Sequence, residues 1–403
     1  MRLPILLYAL AFISRVAFCA NTGPWDLAEL KKTPRAEWGE RAGLTQEVFY
    51  EGEPLAGKPT RIFAYLARPE GEGPFPAIVL VHGGGGQAFK DWAEHWAKRG
   101  YVALAMDTAG QAKDKSRLPD GGPDQHDPIK FRAFEEDEAR EMWTYHAVAA
   151  VIRGHSLLAS LPEVDRERIG VTGISWGGYL ACIVAGLDDR LKVAVSVYGC
   201  GSLGDNSYWK EPILDKMPAE QRERWLRLFD PSSYLATIRC PILFLDGTND
   251  VAYPLDSVMK TYMSVRSDLR NISIIIEMPH GHLWTFSEVD DFVDAALKTG
   301  VPQIARLRIS EVANGYAICV GVDPDAPRRP DLPIVRSVMV NYTVDSGPWQ
   351  KRVWRTVSVE EKDVVGSTIS AKLPMSTTAF FFSGLDHKNR RTTSPMVEVP
   401  VGR

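Results

Sequence analysis

Gly173-Ile174-Ser175-Trp176-Gly177-Gly178 stands between two apolar runs of this 403-residue chain, residues 169–172 before it and 179–186 after it. The serine therefore lies where a buried strand turns sharply into a helix. A serine on such a strained turn crowds the neighbouring backbone, and glycine leaves room two positions away. The pattern predicts a nucleophilic serine, although Gly-x-Ser-x-Gly also occurs by chance in many chains.

Strand and helix patterns alternate on both sides of this stretch. An antiparallel hairpin, residues 47–50 and 61–66, comes first. The later strand predictions are 77–81, 101–106, 169–172, 193–198, 241–245 and 272–276, and the helix predictions are 89–99, 135–161, the helix after Ser175, and 287–297. An antiparallel start followed by repeated strand–helix units predicts an α/β class: a doubly wound, mostly parallel sheet with helices on both faces.

The pattern changes after residue 300. Short alternating runs separated by turns, without a helical pattern, predict a small all-β sandwich of fibronectin or immunoglobulin type over residues 303–403. We expect Trp349 and Trp354 to pack in or beside its core. The α/β domain is predicted to cover residues 46–300, after an exposed lead-in over residues 21–45 with one short helix.

Residues 1–20 differ from the rest, since Arg2 is followed by an apolar run that is too short to span a bilayer. They predict a signal peptide cleaved near Cys19 or Ala20, and a secreted or periplasmic protein. Arg15 is atypical so close to a cleavage site. Lipid attachment at Cys19 is a weaker alternative, because the bulky Phe18 precedes it.

Composition excludes several classes of partner and cofactor. The 47 Lys plus Arg against 51 Asp plus Glu give a net charge of -4, without the basic footprint of a nucleic-acid binder. The cysteines beyond Cys19 are widely spaced in apolar contexts, which favours buried free thiols over disulfides. Neither Cys-x-x-Cys nor His-x-x-x-His occurs, so no metal and no cofactor is predicted. The oligomeric state cannot be read from the sequence.

A serine hydroxyl needs a base to become nucleophilic, and the base needs an acid to orient it. The strand over 241–245 ends at Asp246-Gly247-Thr248-Asn249-Asp250, which supplies two carboxylates. Asp250 is the predicted acid, because a residue a few positions into the loop can reach across to a histidine. Asp246, at the strand end, is expected to brace the turn.

The base should follow the strand over 272–276, where Pro279-His280-Gly281-His282 offers two imidazoles. We predict His282 as the base, because it follows a flexible glycine. His280 is expected to hold the loop by hydrogen bonding or to line the cleft.

An acyl-transfer site also needs donors for the oxyanion. His82-Gly83-Gly84-Gly85-Gly86 follows the strand over 77–81, and its glycines let backbone approach a substrate oxygen closely. We predict the N–H groups of Gly84, Gly85 and Trp176 as the oxyanion hole. A phosphate-binding loop is the competing interpretation, but no Gly-Lys-Ser or Gly-Lys-Thr follows.

Two irregular stretches, residues 108–134 and 201–234, leave the carboxyl ends of strands, where sheets of this class place their sites. They are candidate walls of a substrate cleft, with surface decoration as the alternative. Trp176, Tyr253 and Trp284 are candidates for stacking on sugar rings, although packing in the wall is equally compatible with each.

These motifs together resemble the dienelactone hydrolase and acetyl xylan esterase branch of the α/β-hydrolases, in its secreted bacterial type. The matching stretches are residues 81–86, 98–101, 173–178, 198–201, 247–250 and 279–282, within about residues 45–300. The C-terminal part is similar to an accessory module found in some such chains. The resemblance implies a secreted serine esterase acting on carboxylic esters, best suited to deacetylating a polysaccharide or oligosaccharide. Ser175 departs from the cysteine of true dienelactone hydrolases, which favours ordinary esters.

Two other functions stay open at this point. A peptidase of the prolyl oligopeptidase type has a similar catalytic domain, but its large propeller is missing here. A non-catalytic binding module could keep the fold without turnover, yet such proteins usually lose a triad residue and this chain retains all three candidates. Tyr253, His280 and Trp284 are the predicted substrate contacts.

Overall fold

The computed structural model describes residues 22–299, 307–313, 316–320, 335–359, 364–365, 368–386 and 391–399. The predicted signal peptide, with Cys19, lies outside the described residues. Within the described part of the chain, none of the helices combines the length and apolar character needed to cross a membrane.

Nine strands form the central sheet. They are β1 (Ala36–Ala42), β2 (Thr45–Glu51), β3 (Arg61–Ala67), β4 (Phe75–Val81), β5 (Val102–Met106), β6 (Val164–Ile174), β7 (Val193–Val197), β8 (Ile242–Gly247) and β9 (Arg270–Ile275). Their spatial order is β1-β2-β3-β5-β4-β6-β7-β8-β9. The pairs β1–β2, β2–β3 and β3–β5 are antiparallel. The remaining pairs, β5–β4, β4–β6, β6–β7, β7–β8 and β8–β9, are parallel. The predicted mostly parallel α/β sheet is confirmed.

Eight α-helices accompany this sheet among the described residues. They are α1 (Leu27–Leu30), α2 (Lys90–Lys98), α3 (Asp127–Lys130), α4 (Trp143–Ser160), α5 (Trp176–Leu187), α6 (Ala219–Phe229), α7 (Leu255–Ser264) and α8 (Ser287–Asp294), which continues into a π-helical turn over Ala295–Thr299. Short 3-10 turns occupy Glu136–Glu141, Leu214–Lys216, Pro231–Ser233, Leu235–Thr237 and Trp349–Lys351.

Helices cover both faces of the sheet. Successive residues of β4 enter two different apolar clusters, Val79 with the cluster of α4, α5 and α7, and Leu80 with the cluster of α2 and α8. Burial on both faces is why the parallel strands read as continuous apolar runs. Because β6, β8 and β9 run in the same direction, their carboxyl ends lie at one edge of the sheet.

Two predicted elements differ from the structure. The lead-in contains β1 as well as a short helix, so the sheet begins before the predicted boundary at residue 46. After its first residue β1 is exposed throughout and carries charges, so no apolar alternation marks it. The helix predicted over 135–161 is broken at Met142, which is extended (ψ 146°) between a 3-10 turn and α4.

The C-terminal unit is all-β, as predicted. One sheet contains β10 (Arg308–Ala313), β11 (Tyr316–Val320), β14 (Val364–Val365) and β15 (Thr368–Lys372), and the other contains β12 (Val335–Thr343), β13 (Arg355–Ser358), β16 (Ala379–Asp386), β17 (Arg391–Thr393) and β18 (Val397–Glu398). All their pairings are antiparallel. A sandwich of fibronectin type stays a prediction.

This unit packs against the open edge of the central sheet at β9. Thr393 Oγ1 accepts a hydrogen bond from the N–H of Ile274 (3.1 Å) and donates to the carbonyl of Ile272 (3.2 Å). Phe381 and Trp349 join the apolar cluster of the α/β domain. The unit therefore satisfies backbone groups that an uncovered edge strand would leave exposed.

The cysteines with described side chains agree with the sequence prediction. Cys182, Cys200 and Cys240 are free and buried, and burial raises the pKa of each thiol. The side chain of Cys319 lies outside the described part of the chain.

Candidate active site

Ser175 occupies the turn between β6 and α5 in a backbone conformation that side chains rarely adopt, with φ 55° and ψ -121°. Its N–H donates to Val197 (2.9 Å), and its carbonyl accepts from Tyr179 (3.0 Å). Such a conformation costs about 1–3 kcal/mol and persists where surrounding contacts enforce it.

The flanking glycines are required by space. A Cβ at Gly173 would collide with the carbonyl of Gly177, and a Cβ at Gly177 would collide with the carbonyl of Val81. At Gly178 it would lie 2.6 Å from the hydroxyl of Ser196. The tight turn predicted from the glycine pattern is present, and it raises the serine above the end of the sheet.

His280 joins this serine to a carboxylate. Its Nε2 lies 2.9 Å from Ser175 Oγ, and its Nδ1 lies 2.6 Å from Asp250 Oδ2. The other oxygen of Asp250 accepts the N–H groups of Ala252 and Tyr253, both at 2.8 Å. The carboxylate is thus fixed by its own loop and leaves one oxygen for the imidazole. The three side chains form a continuous series of contacts from the hydroxyl to the carboxylate.

The structure places His280, and not His282 as predicted for the base, at Ser175 Oγ. His282 packs against Phe89, with the ring centroids 5.0 Å apart. Between the two histidines, the carbonyl of Gly281 accepts a hydrogen bond from the hydroxyl of Tyr198. The ring of Tyr198 also lies 4.4 Å from that of His280. These contacts fix the loop with the first imidazole over the serine.

Asp246 lies behind this chain and is 1% exposed. Its Oδ1 accepts the N–H of Gly247 (2.8 Å), which is the turn-bracing position expected from the sequence. Burial, and next the charge of Asp250, hold the pKa of Asp246 well above its usual range. Burial therefore favours the neutral form of Asp246, whose carboxyl group braces the turn.

The glycine loop after β4 is held from below by His82. The Nε2 of His82 accepts the N–H of Thr108 (2.9 Å), so the ring proton is on Nδ1 and is donated to the Gly83 carbonyl (2.7 Å). The N–H of Gly86 donates to the same carbonyl (3.1 Å). The loop is therefore a defined turn rather than a flexible linker.

All three residues predicted for the oxyanion hole line one cleft. A Cβ at Gly84 would lie 2.9 Å from the indole of Trp176, and Gly85 has a positive φ of 71° beside open space. Trp176 is the first residue of α5, where backbone N–H groups have no acceptor within the helix. Residues 125–130 form the opposite wall.

Both predicted cleft segments contribute to an aromatic wall around Trp176. The Trp209 ring lies 4.5 Å from that of Trp176, and its Nε1 donates to Asp127 (3.0 Å). Lys130 pairs with Asp127 (2.9 Å), and its ammonium stands 3.9 Å from the centre of the Trp176 ring. Burial lowers the pKa of Lys130, opposed by Asp127. The wall is thus a packed structure that contains an ion pair between a buried ammonium and a half-buried carboxylate.

Of the aromatic residues predicted to stack on sugars, Tyr253 and Trp176 are buried and Trp284 is half-buried. Tyr253 is fully buried behind Trp209, and Trp176 is 3% exposed. Trp284 packs on Trp92 (5.7 Å) within the second core cluster. The exposed aromatic residue here is Tyr208, 60% exposed, whose N–H donates to Ala252 in the loop of the acid (3.1 Å). Only its place in an aromatic-rich cleft segment could have indicated it from the sequence.

Within the described ranges, no three His, Cys, Asp or Glu side chains converge as a metal site would require.

Known proteins are similar to this chain in sequence and in fold. A family model described as acetyl xylan esterase matches residues 45–233. The acetyl esterase Axe7A of Xylanibacter ruminicola is 26% identical over 210 residues, which are 48% of this chain and 46% of that protein. A putative carboxymethylenebutenolidase of Methylorubrum extorquens is 25% identical over 221 residues, 54% of this chain and 66% of that protein. The match spans less than two thirds of either relative.

A solved structure agrees with this likeness at the level of the fold. The acetyl xylan esterase from Paenibacillus sp. R4 superposes with a TM-score of 0.55 and 23% identity, over 67% of this chain and 92% of that one. The family match, the curated relatives and the shared fold support the α/β-hydrolase branch that the sequence motifs indicated.

Proposed function

We propose that this protein is a serine hydrolase that cleaves carboxylic esters through an acyl-enzyme on Ser175. One observation carries the proposal: His280 lies within hydrogen-bond reach of both Ser175 Oγ (2.9 Å) and the buried carboxylate of Asp250 (2.6 Å). A nucleophile, a base and an orienting acid in this geometry are what acyl transfer requires.

In the first half of the reaction, His280 Nε2 takes the hydroxyl proton as Ser175 Oγ attacks the ester carbonyl carbon. Asp250 keeps the other ring proton on Nδ1 and stabilises the imidazolium that forms. The N–H groups of Trp176 and Gly84 are proposed to bind the oxyanion. Each such donor can contribute roughly 3 kcal/mol to the transition state.

The first half ends when the tetrahedral intermediate collapses to the acyl-enzyme and the alcohol leaves with the proton held by His280. In the second half, a water molecule gives a proton to the same nitrogen and attacks the acyl carbon. The Oγ–acyl bond then breaks, the acid is released, and His280 returns the proton to Ser175 Oγ. Proton transfer by a positioned imidazole of this kind contributes about 10²–10⁴-fold.

The finer proposal is deacetylation of a polysaccharide or oligosaccharide. Its support is the acetyl xylan esterase family match and the likeness to an acetyl esterase. The exposed Tyr208 ring beside the loop of Asp250 offers a face for a sugar. Ser175, rather than a cysteine, favours ordinary esters over dienelactones. A secreted or periplasmic location, and a fibronectin-like C-terminal module, belong to the same proposal.

The test is an assay of residues 21–403 against p-nitrophenyl acetate, butyrate and octanoate, with Ser175→Ala made in parallel. We expect hydrolysis that is fastest with acetate and vanishes in the variant, followed by acetate release from acetylated xylan. Cleavage of acyl-peptides without ester hydrolysis would favour a peptidase. Inertness toward both substrates and toward a fluorophosphonate probe would favour a binding module.

A further inference from the structure

His282 lies directly behind the glycine loop, on the side away from the cleft. The position that a Gly86 side chain would occupy is 2.6 Å from His282 Nε2, 2.7 Å from His82 Nδ1 and 2.9 Å from the Gly83 carbonyl. The equivalent position at Gly83 lies 3.5 Å from the same Nε2 and 2.9 Å from Ser175 Cβ. The side of Gly83 that a side chain would occupy thus faces both His282 and the nucleophile.

The Nε2 of His282 is a buried polar atom without a hydrogen-bond partner in the described part of the chain. Buried nitrogens of this kind ordinarily have a partner, so an unpartnered one beside a reactive serine calls for an explanation. Burial lowers the pKa of His282, and the Gly83 backbone is the neighbour that most opposes this effect. Burial therefore favours the neutral ring, and its Nε2 lies near the Gly83 backbone.

The orientation of the Gly83 carbonyl determines where the Gly84 N–H, a candidate oxyanion donor, points. The Gly83–Gly84 peptide is planar and trans, so the Gly84 N–H points opposite to the Gly83 C=O. His82 and the Gly86 N–H hold the carbonyl on the inner side, and Gly84 lies against Trp176 in the cleft. A donor that fixes the carbonyl therefore also aims the N–H.

We propose that His282 is a positioning residue, whose Nε2–H turns to the Gly83 carbonyl when the Gly84 N–H binds the oxyanion. This inference rests on the proposed function. When the Gly84 N–H donates to a negative oxygen, the peptide polarises and its carbonyl becomes a stronger acceptor. The hydrogen bond from His282 then forms in the transition state, and a contact made there and absent from the ground state accelerates the reaction.

Three variants separate this role from packing. His282→Ala removes both the donor and the ring, His282→Phe restores a ring without the donor, and His282→Gln restores a donor. We expect kcat to fall roughly 10–100-fold in the first two with KM within about threefold, since the oxyanion donor is misaligned rather than lost. His282→Gln should recover most of kcat.

Phe89→Leu is the matched control, because it loosens the ring contact on His282 and leaves the nitrogen in place. It should lower the melting temperature but keep kcat within about threefold. A boronic acid, which mimics the tetrahedral intermediate, should bind His282→Phe more weakly by the same factor as the loss in kcat/KM.

Wild-type kinetics in His282→Phe would overturn the positioning role, as would a loss of kcat that His282→Gln fails to reverse while remaining folded. If wild-type protein hydrolyses no ester, the proposed function fails and this inference fails with it. Turnover in the wild type with unchanged His282 variants overturns the inference alone.

Discussion

Replacing His280 with alanine is expected to remove nearly all turnover, whereas the same change at His282 should leave a measurable enzyme. In the described part of the chain, His280 is the imidazole that contacts Ser175 Oγ, at 2.9 Å. Without it, the hydroxyl proton has no acceptor positioned by the protein. Ser175 and the candidate oxyanion donors would still be present, so binding should persist.

The size of the loss follows from what remains. Removing the base of a serine triad lowers kcat by about 10⁴–10⁶-fold, and the residual rate comes from oxyanion stabilisation and binding. A loss of about 10⁵-fold is equivalent to about 7 kcal/mol of transition-state stabilisation. KM should change little, because His280 is only a quarter exposed and offers the substrate a small surface.

The assay is p-nitrophenyl acetate hydrolysis by wild type, His280→Ala, His282→Ala and Ser175→Ala, with circular dichroism to verify folding. Added imidazole should partly restore His280→Ala, since the vacated space reaches solvent, and should not restore Ser175→Ala. If His280→Ala stayed within tenfold of wild type while His282→Ala fell to the Ser175→Ala background, the assignment of the base would be refuted.

Four further outcomes are expected. Because Asp246 braces the turn and Asp250 contacts His280, Asp246→Asn should retain kcat within about tenfold, whereas Asp250→Asn should lose about 10⁴-fold; comparable losses would contradict the division of roles. Burial lowers the pKa of His146 from 6.5 to about 4, so the unfolded chain binds the extra proton in that interval and stability falls as pH drops through it. Urea unfolding at pH 7 and pH 4.5 should show a loss approaching about 3 kcal/mol in wild type, and a smaller one in His146→Gln. The free energy of unfolding of Ser175→Gly should be about 1 kcal/mol higher than that of Ser175→Ala, because glycine relieves the backbone strain. Equal stability of the two variants in calorimetry would argue against that strain. Thr393→Val should lower the free energy of unfolding by about 2–4 kcal/mol in chemical denaturation, with Thr393→Ser close to wild type, because two buried strand groups lose their partner.

The features predicted well from the sequence are those that local chemistry dictates. Strand β4 is covered on both faces, so its residues form an uninterrupted apolar run. The turn at Ser175 leaves no room for side chains at Gly173 and Gly177, and the sequence shows glycine at both. Asp250 was predicted from the reach of its loop, and the structure places it against an imidazole. In each case a few consecutive residues contain the whole reason.

The features predicted poorly depend on partners distant in the chain. β1 joins the sheet by pairing with β2, and its own residues do not alternate between buried and exposed. His280 and His282 are chemically identical and two residues apart, so spacing cannot choose between them. Tyr198, which follows β7, fixes the loop by donating a hydrogen bond to the carbonyl of Gly281. Flexibility at Gly281 was the wrong criterion, since this glycine is held in place.

Each residue of the candidate triad is held in place by different contacts. These contacts differ in how far along the chain their partners lie. Crowded glycines impose the conformation of Ser175, and two amides of its own loop fix Asp250. His280 depends on Tyr198 and on β9, whose outer edge is completed by Thr393 of the C-terminal unit. The histidine is therefore the member whose position relies most on distant parts of the chain. When the C-terminal unit is loosened, the first change expected at the site is a longer distance between His280 and Ser175.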